Sequence, residues 1–259
     1  MQILLVGTNN ADILAKQLQY YGLAAKPLCP PKIPTMLKLR NFDIIYGVYL
    51  ASTTRQLLSI KLLKKKSLVH IIGSDAFTYA QTHGLKKKIW ESALKMYDEI
   101  LFVTKELQEV MGLKKGIVIP IPIDTKIFRK MRYDGEKRDI LYYCPRPKIY
   151  RLEWIKHYAK EHPNETITIL GYPYDVGLSN VKVIPYWPYE KMPLLYSMHR
   201  RLIRMTTHDG YPKMPYEALL CGLKVIWNNK ETTHVPSEML MENTIPKLIH
   251  ILNEVLIRH

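Results

Sequence analysis

The sequence predicts an α/β protein built as two successive halves. Short runs rich in Ile, Leu and Val alternate along the chain with amphipathic stretches of helical spacing. The apolar runs are near-continuous, as parallel strands covered on both faces require. The alternation is interrupted once, at a stretch marked by Pro120 and Pro122 and followed by a polar, basic segment, and then begins again.

Taken in order, the first half offers strands at 2–6, 24–28, 43–48, 67–72, 99–103 and 116–119, with helical patterns between several of them. The opening apolar run leads straight into Thr8, Asn9 and Asn10, without the basic start or cleavage site of a signal peptide, and reads as a first buried strand. The second half offers strands at 139–143, 166–170, 181–184, 202–205 and 223–227, and helices at 152–161, 191–197 and 215–220. A last helix, 245–257, is able to pack on either half. The domain expectation is therefore 1–124 and 125–244, with 245–259 crossing back or staying.

Composition bounds the function classes. The chain has 259 residues, 47% hydrophobic and 24% charged, enough for two compact cores. Cys29, Cys144 and Cys221 are odd in number and far apart, which speaks for reduced core thiols and a cytoplasmic setting. No run approaches the roughly 20 apolar residues of a membrane span, so membrane contact is expected to be peripheral. The formal charge is +15, and Lys61, Lys64 to Lys66 and Lys86 to Lys88 concentrate it in the first half. Such runs are either solvated helix faces or the footprint of an anionic partner: a lipid surface carrying a lipid-linked acceptor, or nucleic acid. The chain has no recognisable nucleic-acid-reading motif, which leaves a nucleic-acid-binding or nucleic-acid-modifying protein as the rival reading.

In open parallel sheets ligands gather at the carboxyl ends of the strands. The richest loop there runs from Thr206 to Gly222, out of a strand and into a helix. Gly210 permits a tight turn, and Pro215 suits a first helical turn, whose amides can face a phosphate. Asp209 and Glu217 stand eight positions apart; on spacing alone they also read as a turn residue and an exposed helix acid.

This segment resembles the signature of retaining glycosyltransferases of the GT-B fold, chiefly family 4: an acid, Gly, any residue, Pro, four residues, then Glu-Ala and a helix ending in Gly. Asp209, Gly210, Pro212, Glu217, Ala218 and Gly222 fall in register. The family's first acid is usually Glu, one methylene longer than Asp209. Further likenesses are Val118 to Asp124 with Phe128, Glu99 to Lys105, Ile169 to Gly171, Val183 to Tyr186, Met192 to Tyr196 and His70 to Asp75, covering about 67–227. The resemblance implies two Rossmann-like domains facing a central cleft, the second binding a nucleotide sugar. It also implies retention of configuration with no metal and no cofactor beyond that donor.

By residue, the resemblance places Asp209 at the transferred sugar and Glu217 on the ribose. The family's usual Gly-Arg and Lys-Gly cations are missing in that form, and Arg146, Lys148 and Arg151 stand where they could serve the diphosphate. His70 either faces the acceptor side as a catalytic group or ends a buried strand. Tyr186, with Trp187, either stacks on the donor base or packs at the domain edge. Walker, Rossmann-fingerprint and Gly-x-Ser-x-Gly patterns are absent from the sequence, which disfavours NTPase, dehydrogenase and hydrolase chemistry.

Overall fold

A computed structural model of the chain describes residues 1–28, 36–207 and 211–258. They form two compact units, Met1–Pro122 with Ser237–His259, and Ile123–Pro236.

The first unit runs β1 (Gln2–Val6), α1 (Asn9–Tyr20), β2 (Ala24–Leu28), α2 (Met36–Leu39), β3 (Ile44–Val48), α3 (Leu50–Thr53), α4 (Leu57–Leu62), β4 (Lys66–Ile71), α5 (Ser74–Gln81), α6 (Gly84–Met96), β5 (Glu99–Phe102), α7 (Lys105–Val110) and β6 (Ile117–Val118). Its strands pair in the order β2-β1-β3-β4-β5-β6, all parallel. Every residue of β3 is buried, as are the last four of β1 and the last five of β4. That is why these runs are apolar without alternation: both sheet faces are covered. In α1 the buried Ala11, Leu14, Ala15 and Leu18 recur at helical spacing, while Asp12 and Lys16 pair in solvent at 2.9 Å.

The second unit runs β7 (Arg138–Tyr143), α8 (Leu152–Glu161), β8 (Ile167–Leu170), β9 (Val181–Ile184), α9 (Met192–Ser197), β10 (His199–Arg204), α10 (Lys213–Leu220), β11 (Lys224–Trp227) and β12 (Lys230–Thr232). The strand order is β12-β11-β10-β7-β8-β9, parallel except for β12. β12 is short and polar, and the strand periodicity gives no sign of it. Its turn does: Asn228 and Asn229 both have positive φ, 46° and 64°, as a two-residue hairpin turn demands and as asparagine tolerates. Phe128, just after the start of this unit, is buried against Tyr196 and Tyr189.

α11 (Met241–Ile257) belongs to the first unit, where Ile245, Leu248, Leu252 and Val255 join the core around Ile3, Leu14 and Tyr46. It begins one turn before the expected 245. Burial of Met241 and Thr244 extends the helix upstream, with Pro246 inside it at the cost of one backbone hydrogen bond.

In the second unit the chain steps outward through β7, β8 and β9, then returns to the other side of β7 as β10. The loops leaving β7 and β10 therefore flank the point where the winding reverses, the place where open sheets bind ligands.

Candidate functional site

Thr207 N donates to Ile149 O at 2.9 Å, which ties the loop after β10 to the loop after β7. Thr206 N donates to Asn228 Oδ1 at 2.8 Å, which ties it to the β11–β12 turn. Arg204, buried at the end of β10, lies over the rings of Tyr143 and Tyr150 at 5.4 and 4.9 Å from the centroids. Its Nη1 reaches Met214 Sδ at 3.7 Å. Tyr142 Oη donates to Tyr150 O at 2.7 Å and fixes the β7–α8 loop from beneath.

Glu217, in the second turn of α10, is only 4% exposed. Its Oε1 accepts from Tyr189 Oη at 2.8 Å and its Oε2 from Tyr196 Oη at 3.4 Å. Lys213 Nζ lies 3.9 Å from the same Oε1. Burial raises the Glu217 carboxyl above its ordinary range, against the pull of Lys213, the two tyrosine hydroxyls and Arg204. Burial likewise lowers Lys213, with Glu217 opposing, and holds both tyrosines firmly protonated. The hydroxyls are donors here, and the carboxylate is the acceptor they converge on.

Asp209 and Gly210 lie outside the described residues. Arg146, Lys148 and Arg151 are solvent-exposed on the β7–α8 loop, and Arg151 opens α8 with φ at 43°. Tyr186 is 76% exposed just after β9, while the neighbouring Trp187 is held by Nε1 donating to Lys191 O at 2.8 Å. The aromatic side chains that reach Glu217 are Tyr189, three residues further on, and Tyr196.

His70 takes the second of its two expected places. It is buried at the end of β4, with Nδ1 at 2.8 Å from Tyr46 Oη and Nε2 at 2.8 Å from Ile119 O. A carbonyl can only accept, so Nε2 carries the proton and Nδ1 accepts from Tyr46. Burial pushes its pKa down to about 4. Both ring nitrogens are thus engaged by buried groups of the first unit, Tyr46 and the Ile119 carbonyl. In the first turn of α5, just after β4, the buried Asp75 accepts from four backbone amides: Leu50 on Oδ2 at 3.1 Å, and Ile72, Gly73 and Ala76 on Oδ1 at 3.0 to 3.2 Å.

Tyr189 and Lys213 were missed at the level of sequence. Lys213 stands four before Glu217 on one helix, a spacing that could have marked the pair; nothing local marks Tyr189. Among the described residues no three His, Cys, Asp or Glu side chains cluster as a metal site would. Among them also, no helix is long and apolar enough to cross a membrane.

No family model matches the sequence, and no curated protein matches it. Solved structures do match. HepE from Anabaena, in complex with UDP and glucose, aligns over 98% of this chain and 90% of its own with a TM-score of 0.66 and 12% identity. Sucrose-phosphate synthase from Thermosynechococcus elongatus aligns over 88% of this chain and 81% of its own, with a TM-score of 0.62 and 13% identity. AviGT4, a glycosyltransferase involved in avilamycin A biosynthesis, gives 0.58 over 88% and 78% at 12% identity. At these identities the likeness is one of fold, and the fold is that of GT-B glycosyltransferases, with two six-stranded, largely parallel sheets.

Proposed function

We propose that the chain is a glycosyltransferase that binds a nucleotide sugar in its second unit and passes the sugar to an acceptor with retention of configuration and without a metal. A fold hosts many activities, so the reading rests on the site. The observation that carries it is Glu217, a buried carboxylate at the winding reversal that already accepts a hydroxyl at 2.8 Å. A ribose diol offers the same donors, and Glu217 takes it by exchanging Tyr189 for the sugar.

Asp209 stands by the transferred sugar and stabilises the positive charge that develops at its anomeric carbon. Arg146, Lys148 and Arg151 steer the anionic donor from the β7–α8 loop. In the transfer, the bond between the anomeric carbon and the phosphate oxygen breaks. The acceptor oxygen bonds to that carbon, and the acceptor proton leaves with the nucleoside diphosphate.

The first unit takes the acceptor, and an anionic membrane surface fits its charge. On α6, Leu85 and Ile89 are exposed one turn apart, beside exposed Lys86 and Lys88; on α4, Leu58 and Leu62 are exposed next to Lys61. Trp90 is not part of that apolar face: its ring stacks on Tyr79 at 6.1 Å. Each lysine near an anionic leaflet contributes about 1 kcal/mol. In vesicle sedimentation we expect anionic vesicles to be bound over neutral ones and Leu85→Glu with Ile89→Glu to abolish binding. Equal binding to both vesicle types contradicts the membrane part, and tight salt-sensitive binding to DNA instead supports the nucleic-acid rival.

The donor part is tested by saturation-transfer NMR with UDP-, GDP-, ADP- and dTDP-sugars. Contact with the ribose protons of one nucleotide class is expected, and no contact with any of the four contradicts the reading.

A further inference from the structure

We propose that Lys213, the first residue of α10, holds the phosphate end of the donor, so that one face of the helix meets the ribose through Glu217 and the phosphate through Lys213. The inference rests on the nucleotide-sugar reading above and extends it to a residue outside the exposed Arg146, Lys148 and Arg151.

Lys213 and Glu217 are four residues apart on one helix, which sets them on the same face about 6 Å apart along the axis. A nucleotide's ribose diol and its phosphates are separated by a step of the same order. Lys213 lies at the helix start and Glu217 one turn on, so the phosphate would follow the ribose towards that start.

The contacts of Lys213 are those of a cation kept for a further anion. Its side chain is 13% exposed, yet its partners among the described residues are loose: Tyr189 Oη at 3.5 Å and Glu217 Oε1 at 3.9 Å, with the ammonium 5.2 Å from the Tyr189 ring centroid. The short contact on Glu217 Oε1 belongs to Tyr189, at 2.8 Å. A lysine serving only as counter-ion would close to a direct charge-assisted hydrogen bond of about 2.8 Å. A shielded ammonium with loose acceptors is costly to keep unless another anion completes its shell.

The start of α10 supplies a second argument. Helix starts bind phosphate through free first-turn amides, but Pro215 stands in this first turn and has no N–H to give. The side-chain cation two residues earlier makes up for the missing donor. Being shielded, it acts through a lower dielectric than the exposed loop cations do.

The test is calorimetric titration of UDP, GDP, ADP and dTDP, each with its nucleoside, against the parent and Lys213→Met. For the nucleoside diphosphate that the parent binds, Lys213→Met is expected to lower affinity about ten- to hundredfold. The affinity for the matching nucleoside stays at the parent's value, and Lys213→Arg recovers most of the loss. A lysine acting only as the counter-ion of Glu217 would weaken nucleoside and diphosphate alike, so an unchanged ratio of the two affinities overturns the proposal. If Lys213→Met melts at the assay temperature, Lys213→Gln takes its place with the same two outcomes. A parent that binds none of the four diphosphates overturns the nucleotide-sugar reading itself, and Lys213's role with it.

Discussion

Replacing His70 by Gln separates a core histidine from a catalytic one. His70 has a pKa of about 4 in the folded chain, against 6.5 for a free imidazole, because burial disfavours the cation. As pH falls, the unfolded chain takes up the proton first, so the stability His70 contributes is complete above 6.5 and is lost on descent towards about 4. A shift of this size makes the loss about 2 kcal/mol at pH 5 and about 3 kcal/mol at pH 4. Gln can still donate to Ile119 O and accept from Tyr46 Oη, but it does not titrate. Urea unfolding of parent and His70→Gln at pH 7.5 and pH 5, buffers chosen on the order of one unit either side of the free value, reads the difference. The variant should lose about 2 kcal/mol less than the parent on acidification, and any sugar-transfer activity should survive the substitution. Equal acid sensitivity in the two proteins, or loss of transfer in a folded variant, would refute the structural reading of His70.

Two further predictions concern groups on which burial acts in the same way. Burial pushes the Cys144 thiol up to about 11 and that of Cys221 up to about 12, so neither should react with iodoacetamide near neutral pH until the chain is unfolded, as mass spectrometry of the alkylated protein will show. Asp75→Asn turns one acceptor oxygen of a four-amide clamp into a donor; it should cost about 1–3 kcal/mol, measured as a fall in urea midpoint at unchanged slope, and a midpoint equal to the parent's would contradict the clamp.

The fold was legible because burial on both faces writes itself directly into sequence. The runs at 2–6, 24–28 and 181–184 and the helix 152–161 coincide with β1, β2, β9 and α8. Other ends moved by a residue or more, and the strand expected at 202–205 is β10 at His199–Arg204, whose start, His199 with exposed Arg200 and half-buried Arg201, carries no apolar run. β12 was invisible because three polar edge residues carry no apolar pattern. Pro246 misplaced the start of α11, since a proline inside a helix looks like one at its beginning. Part of the candidate site was legible too: the motif singled out Glu217, and the structure shows that side chain to be buried. Its partners were not all found, because Tyr189 reaches it from 28 residues away in sequence, and only the folded chain brings those two together.

The central claim, that Glu217 holds the ribose of a nucleotide donor, is tested most directly by calorimetric titration of the parent and Glu217→Gln with the nucleoside diphosphate that the parent binds. Hydrogen bonds to a charged carboxylate contribute about 1.5–3 kcal/mol, so the account predicts affinity lower by roughly ten- to 150-fold in the variant. Because the ribose is common to both ligands, the matching nucleoside should weaken by the same factor, unlike the pattern expected at Lys213. Nucleotide affinity in a folded Glu217→Gln equal to that of the parent would contradict the account.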